Sequence, residues 1–234
     1  DSIMDQGFLR EMAEMLEDET VSAIQAQHDV ANPHVNWRTA LTYAGFVLVN
    51  CVRSAGRVRL GGTAGLKGNG MVLRSALLAH YGWPAHSVVE DVEFGMRLLL
   101  DGHRISYCDR ARVSSDMPAG RKEGESQRNR WEAGRVAVVA HHVPLLLRAF
   151  ARRPQWRYLD ACLDLSAPPL SILAMVEGGL LVSSAFVAPY LFPVFAVCAI
   201  MTALHVVLGL RLARAPRTVW MNLMAAPLFL AWKL

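Results

Sequence analysis

The chain has 234 residues, of which 53% are hydrophobic and 19% charged, and its mean hydropathy is +0.24. It is more apolar than a usual soluble domain, yet the charged fraction excludes a protein that lies in the membrane throughout. The net charge of +4 does not indicate nucleic-acid binding, because the basic residues flank apolar segments, at residues 121–157 and at Arg211, Arg214 and Arg217.

Acidic and apolar residues are segregated along the chain. Nearly all acidic residues precede residue 165, and Glu177 is the only acidic residue in the segment 165–234. The four cysteines are scattered without paired spacing, so neither a zinc site nor a disulfide framework is indicated. The chain begins at Asp1 without a signal peptide and ends in an apolar run. We therefore expect an excerpt of a longer polypeptide, polar in its first part and membrane-embedded in its last.

The polar part mixes helical and strand patterns. In chain order, apolar periodicity and glycine positions predict a helix at residues 7–19, a strand at 21–27, a helix at 36–53, short strands and turns at 57–71, a helix at 90–101 that ends at Gly102, and a strand at 104–108. This mixture predicts an α/β domain.

The last part of the chain has the pattern of a membrane-associated segment. Residues 144–163 combine leucines and aromatic residues with four arginines, which predicts an amphipathic helix in the interface plane, although an ordinary surface helix has the same pattern. Apolar runs follow at about 165–186 and 190–210, and a shorter run at 218–232 is a partial or re-entrant segment. Arginines at the outer ends of the first two runs predict a cytoplasmic N-terminal domain.

Glu177 lies near the middle of the first apolar run, where a carboxylate is costly and needs a polar partner. His205 in the second run is the obvious candidate. The two residues differ in predicted depth by about 10 Å, counted from the helical rise, which argues against that pair.

Two short polar motifs precede the apolar runs. The first is Glu90-Asp91, at the start of a predicted helix and near a glycine-rich stretch. A carboxylate there can act as a general base, but it can also simply stabilise the helix N-terminus. The second is Gln127-Arg128-Asn129-Arg130-Trp131. On a helix, residues 127, 130 and 131 share one face; the alternative is a core tryptophan with arginines in solvent.

The order of these motifs and the apolar runs resembles membrane-bound family 2 glycosyltransferases, of the cellulose, chitin or poly-N-acetylglucosamine synthase kind. Gln127, Arg130 and Trp131 match the family's Gln-x-x-Arg-Trp motif. The resemblance implies a GT-A nucleotide-diphospho-sugar transferase domain whose C-terminal half is residues 1–143, followed by the interfacial helix at 144–163 and a transmembrane region at 164–234. The part that binds the nucleotide base would precede this excerpt, so the excerpt alone would be inactive.

The resemblance also implies roles for individual residues. Asp91 would be the catalytic base, Gln127 and Arg130 would contact the donor diphosphate, and Trp131 and Glu90 would belong to the acceptor site. Lys67-Gly68-Asn69-Gly70-Met71 resembles the family's glycine-asparagine turn, which brings Asn69 and Gly70 to the acceptor pocket. Asp1 resembles the second aspartate of an Asp-x-Asp motif, the ligand of a divalent cation, Mg²⁺ or Mn²⁺; otherwise it is only an exposed terminal carboxylate.

The function expected from the resemblance is an inverting, metal-dependent transferase that moves a sugar from a nucleotide diphosphate sugar, such as a UDP-sugar, to a growing β-linked polysaccharide. Two alternatives stay open: a glycolipid-forming enzyme similar to ceramide glucosyltransferase, and a catalytically inactive membrane adaptor. The expected partners are the donor, a glycan or lipid acceptor and membrane lipid, without nucleic acid. The expected location is the plasma or inner membrane, with several spans and a cytoplasmic catalytic domain.

Overall fold

A computed structural model describes residues 2–83 and 89–226, with only the backbone for residues 121–132. The elements are β1 (Ser2–Met4), α1 (Phe8–Leu16), β2 (Ala23–Val30), α2 (Trp37–Val47), a π-helical segment (Leu48–Arg53), α3 (Ser54–Arg59), β3 (Met71–Leu73), α4 (Ser75–Tyr81), α5 (Glu90–Leu100), β4 (Ile105–Ser115), α6 (Arg121–Arg152), α7 (Trp156–Ser166), α8 (Leu170–Val187), a 3₁₀ turn (Pro189–Leu191), α9 (Phe192–Leu212), α10 (Arg217–Asn222) and a 3₁₀ turn (Leu223–Ala225).

The chain forms two compact units. The first comprises Asp1–Asn32 and Val49–Ala167, and the second comprises Pro33–Leu48 and Pro168–Leu234. The first unit contains all strands of the described residues, and the second contains α2 and the helices from α8 onward. The first unit is therefore mixed α/β, and the second is helical.

The first unit is built on a four-stranded sheet in the order β1-β4-β2-β3. The two central strands, β2 and β4, are parallel, and each edge strand is antiparallel to its neighbour. The pairing shifts from Ala26 with Cys108 to Gln27 with Arg112, so residues 109–111 form a bulge in β4. Bulges of this kind bend a strand and redirect its side chains.

Helices cover both faces of this sheet. Alternate residues of β2 point to opposite faces: Ile24 and Ala26 pack with Phe8 and Met12 of α1, whereas Ala23 on the other face packs with Phe94 and Leu98 of α5. The opposite side of α5, through Met96 and Leu99, packs against buried residues of α6 and α7. These layers hold the first turn of α5 in a fixed position relative to the sheet.

Within its described residues, the second unit contains two helices long and apolar enough to cross a membrane, Leu170–Val187 and Pro189–Leu212. They pack as an antiparallel pair joined by the short 3₁₀ turn. Between them, Thr202 Oγ1 donates a hydrogen bond to Glu177 Oε1 over 3.1 Å. The structure thus gives Glu177 a hydroxyl partner on the neighbouring helix.

Most predicted elements are present, with shifted ends. The helix predicted at 36–53 starts after an Asn36 cap that forms a capping box with Thr39 and continues as far as Arg59, so residues 57–59 are helical where turns were predicted. The strand predicted at 104–108 extends to Ser115 because it pairs with both β1 and β2. The segment 144–163 is divided between α6 and α7. Of the third apolar run, residues 227–232 lie outside the described part.

Gly70 gives a test of how tightly this fold is packed. Its φ is +72°, and a Cβ at this position would lie 2.7 Å from Val113 Cγ1 and 3.0 Å from the Ala26 Cβ. We expect Gly70→Ala to cost about 2–5 kcal/mol, because backbone strain of about 1–2 kcal/mol adds to overpacking of about 1–3 kcal/mol.

Gly61→Ala is the matched control. Gly61 has a φ of +86°, and among the described residues no atom lies within 4 Å of the place that its Cβ would occupy. This variant should therefore show the backbone strain alone. The thermal unfolding midpoints of both variants, measured in detergent, give the difference in stability between them. Equal falls in the two midpoints would contradict the close packing of Gly70 against Val113 and Ala26.

Candidate active site

Polar side chains converge at the carboxyl end of the parallel strands β2 and β4. His28 lies near the end of β2, Ser115 ends β4, and Ser2 of β1 pairs with Ser115 across the antiparallel ladder. The turn that contains Asn69 approaches the same end, since Asn69 donates to Ser2. The carboxyl ends of parallel strands are a common place for ligand binding in α/β proteins.

Gln25 fixes the turn formed by residues 67–70. Its side chain is completely buried. Gln25 Oε1 accepts a hydrogen bond from the Lys67 backbone N–H at 2.9 Å, and Gln25 Nε2 donates to the Asn69 carbonyl at 2.7 Å. The backbone N–H of Ala26, the next residue, donates to the Gly70 carbonyl at 2.8 Å. One buried amide therefore binds the turn at Lys67 and at Asn69, and an adjoining backbone hydrogen bond holds Gly70.

The side chain of Asn69 joins this turn to the sheet. Asn69 Nδ2 donates to Ser2 Oγ at 3.0 Å and lies 3.3 Å from His28 Nε2, which is also 2.8 Å from Ser115 Oγ. Burial lowers the pKa of His28 to about 4, and the Lys67 charge acts in the same direction. His28 is therefore neutral at physiological pH, and in the tautomer protonated at Nδ1 the single lone pair of Nε2 can accept a hydrogen bond from Asn69 or from Ser115.

Asp91 lies in the first turn of α5, beside the same glycine turn. A Cβ added to Gly68 would lie 3.4 Å from Asp91 Oδ2. Burial raises the pKa of Asp91 and the Glu90 charge adds to this effect, whereas the Val92 backbone N–H and Lys67 oppose it. A raised pKa makes the Asp91 carboxylate a stronger base than an exposed aspartate.

Lys67 supplies a cation at the start of the turn. Its Nζ donates to the Val49 carbonyl at 3.2 Å. Burial lowers the pKa of Lys67 to about 8, Arg57 and Arg53 act in the same direction, and Asp164 opposes them. The Lys67 charge in turn lowers the pKa of both His28 and Asp91. This lysine therefore links the His28 side of the site to the Asp91 side electrostatically.

The structure brings together part of the predicted site. Asp91, Glu90, Asn69 and Gly70 lie around the glycine turn or in the first turn of α5. Gln127, Arg130 and Trp131 lie on α6, but their side chains lie outside the described part of the structure. Their convergence on this site stays a prediction.

Asp1, the predicted metal ligand, lies outside the described residues, immediately before Ser2. In the described part of the chain, no three His, Cys, Asp or Glu side chains are grouped closely enough to hold a metal ion. A magnesium site of one or two carboxylates completed by substrate phosphates needs no such cluster.

Sequence reasoning missed Gln25, His28 and Lys67 as site residues. The signal available was the strand itself: polar Gln25, His28 and Asp29 are all buried in β2, so the strand does not alternate between core and solvent. Polar residues within a buried strand need hydrogen-bond partners, and here those partners build the site.

We expect Gln25→Met to weaken both the fold and the activity. The change removes the partners of the Lys67 N–H and the Asn69 carbonyl, and each buried group left unpaired costs about 1–3 kcal/mol. Gln27→Met, a half-buried position two residues along β2, is the control. The thermal unfolding midpoint and sugar transfer by the full-length protein should both fall for the first variant only. Equal behaviour of the two variants would show that Gln25 does not hold the turn.

Comparison with known proteins agrees with the motifs. Residues 1–232 match the family model described as Glycosyl transferase family group 2. The chain is 37% identical over 86 residues to glucomannan 4-beta-mannosyltransferase 7 of Arabidopsis thaliana, covering 36% of this chain and 16% of that protein. It is 28% identical over 205 residues to beta-monoglucosyldiacylglycerol synthase of Nostoc sp. (strain PCC 7120 / SAG 25.82 / UTEX 2576), covering 84% of this chain and 42% of that protein.

The chain thus spans less than half the length of these relatives. The family match, in contrast, runs through both structural units. Because the family model matches residues 1–232, this chain belongs to glycosyl transferase family group 2.

Proposed function

We propose that this chain is the acceptor-side half of a GT-A catalytic domain followed by membrane helices, in an inverting enzyme that transfers a sugar from a nucleotide diphosphate sugar. The observation that carries this proposal is the Asp91 carboxylate against the Gly68 turn. Its raised pKa suits a general base, and backbone free of side chains beside it leaves room for a sugar hydroxyl.

In the proposed reaction, the acceptor hydroxyl oxygen attacks the anomeric carbon of the donor on the face opposite the nucleotide. The bond between that carbon and the diphosphate oxygen breaks, and the nucleoside diphosphate leaves with the bonding electrons. Asp91 takes the proton of the attacking hydroxyl. The configuration at the anomeric carbon is therefore inverted.

Three residues of α6 have proposed roles in holding the substrates. Gln127 and Arg130 contact the donor diphosphate, which suits a guanidinium because its planar fork pairs with phosphate oxygens. Trp131 covers one face of the acceptor sugar. Asp1 would hold a divalent cation, Mg²⁺ or Mn²⁺, whose chemical contribution is to neutralise charge on the leaving diphosphate.

The acceptor is a glycan or a lipid. We favour a growing β-linked polysaccharide, and the similarity to a glucomannan mannosyltransferase supports that choice. Similarity to a glucosyldiacylglycerol synthase extends over 84% of this chain and supports a glycolipid product equally well. In either case the two apolar helices would hold the enzyme in the membrane, with the first unit on the cytoplasmic side.

The direct test is sugar incorporation by membranes that contain the full-length protein, with a panel of radiolabelled nucleotide-sugars. We expect one donor to be used and Asp91→Asn to reduce the rate by about 10²–10⁴, the usual contribution of a general base. Product size then separates a polymer from a glycolipid. Asp101→Asn, an exposed carboxylate at the other end of α5, is the control and should retain the wild-type rate.

Two results would contradict the proposal. Full activity of Asp91→Asn would exclude Asp91 as the base. A folded, membrane-inserted wild-type protein that uses no donor would instead favour an inactive membrane adaptor.

A further inference from the structure

A buried cluster of ion pairs links α7 to α3 inside the first unit. Arg57 Nε lies 3.0 and 3.1 Å from the two carboxylate oxygens of Asp160, and Arg57 Nη2 donates to Asp160 Oδ2 at 2.9 Å. Asp164, one helical turn further along α7, contacts Arg57 Nη1 and lies 2.7 Å from Arg53 Nη2. The side chains of Arg57 and Asp160 are only 8% and 11% exposed.

Stability alone does not account for such a cluster. Desolvation of two charges offsets most of their attraction, and well-packed apolar residues in the same place are often as stable or more so. A planar guanidinium fork on a carboxylate does fix the geometry of the two elements that carry it. The cluster is therefore suited to fixing α3 and α7 relative to each other, and with them the backbone that contacts both helices.

The Asp160 carboxylate contacts the loop that leads to the active-site turn. The Thr63 backbone N–H lies 3.4 Å from Asp160 Oδ2, and a Cβ added to Gly62 would lie 2.3 Å from the same oxygen. This close approach is open only to glycine. Arg104 holds the loop from its other side, where its Nε donates to the Gly62 carbonyl at 2.9 Å.

From Thr63 the chain passes through three buried residues to Lys67, where the turn begins. The charges of the same cluster also act on the pKa of Lys67. Asp164 raises this pKa, whereas Arg57 and Arg53 lower it. The carboxylates of α7 thus act on both the backbone and the charge of the segment that lies against Asp91.

We propose that Asp160 and Asp164 are positioning residues for sugar transfer: through Arg57, Arg53 and the Gly62–Thr63 loop, they hold the Lys67–Gly70 turn at the distance from Asp91 that the reaction needs. This inference rests on the proposed function for its catalytic consequence, but the positioning itself is a property of the fold. Neither motif of the family predicts it, because α7 lies outside both.

The test is the double variant Arg57→Met/Asp160→Asn. It removes one positive and one negative charge together, so neither charge of the pair stays buried without its partner. Asparagine also keeps the shape of residue 160 against Gly62. The control is Arg110→Met/Glu11→Gln. It removes an ion pair with a similar distance, 3.1 Å from Arg110 Nε to Glu11 Oε2, in the same unit.

In the full-length protein we expect kcat to fall by about 10- to 100-fold in the double variant, because small misplacements of a reacting group cost about that much. The apparent KM for the nucleotide sugar should stay near its wild-type value, and the control should keep both constants. A kcat within twofold of wild type in the double variant would overturn the inference.

Hydrogen exchange of the same two variants decides the question without reference to activity. The amides of Thr63 and Lys67 should exchange faster in the double variant, while those of β2 and β4 stay protected. A role in overall stability alone would instead speed the exchange of β2 and β4 together with that of the loop. If the wild-type protein transfers no sugar, the proposed function fails. Faster exchange in the loop of the double variant would still support the positioning role in that case. Unchanged exchange in the loop would overturn the positioning role.

Discussion

The packing of one tight turn on a buried strand is the interaction on which the candidate site depends. Residues 67–70 lie against β2 because Gln25 binds the backbone at Lys67 and Asn69 and because Gly70 leaves no side chain between the turn and Val113. The same turn then meets Asp91 of α5 through Gly68. Strand, turn and helix are thus brought together by backbone contacts that a side chain at position 70 would obstruct, and the φ of +79° at Gly68 disfavours a side chain there as well.

The electrostatics of the site follow from burial of its polar groups. Burial keeps His28 neutral and raises the pKa of Asp91, so one group can accept a hydrogen bond and the other a proton. The positive charge of Lys67 lowers the pKa of His28 further and opposes the rise in the pKa of Asp91. The charges of Asp164, Arg57 and Arg53 shift the pKa of Lys67, so the properties of the site depend on residues of α7, α3 and the π-helical segment.

Local patterns predicted the elements that carry local signals. The helix at Glu90 could be predicted because acidic residues fill its first turn and Gly102, with φ +98°, follows its end. The long strand β4 could not, since its second half is held by pairing with β1 and β2, which are far away in sequence. The extension of the second helix to Arg59 depends in the same way on distant contacts, among them the pairs of Arg57 with α7.

The motifs likewise predicted some site residues and missed others. Asp91 and Asn69 belong to short patterns that can be read from neighbouring residues. Gln25 is recognisable only by its buried amide and the turn that it binds some forty residues away in sequence. Residues that act through long-range hydrogen bonds leave no pattern in a single sequence, because their partners are chosen by the fold.

The central claim is that an acceptor sugar binds between the Gly68 turn and Asp91. The most direct measurement is the cryo-electron microscopy structure of the full-length protein with a non-transferable nucleotide-sugar analogue and an acceptor. We expect an acceptor hydroxyl within about 3 Å of the Asp91 carboxylate, the reach of a general base, and in contact with the turn. An acceptor bound elsewhere, with Asp91 facing no hydroxyl, would contradict the claim.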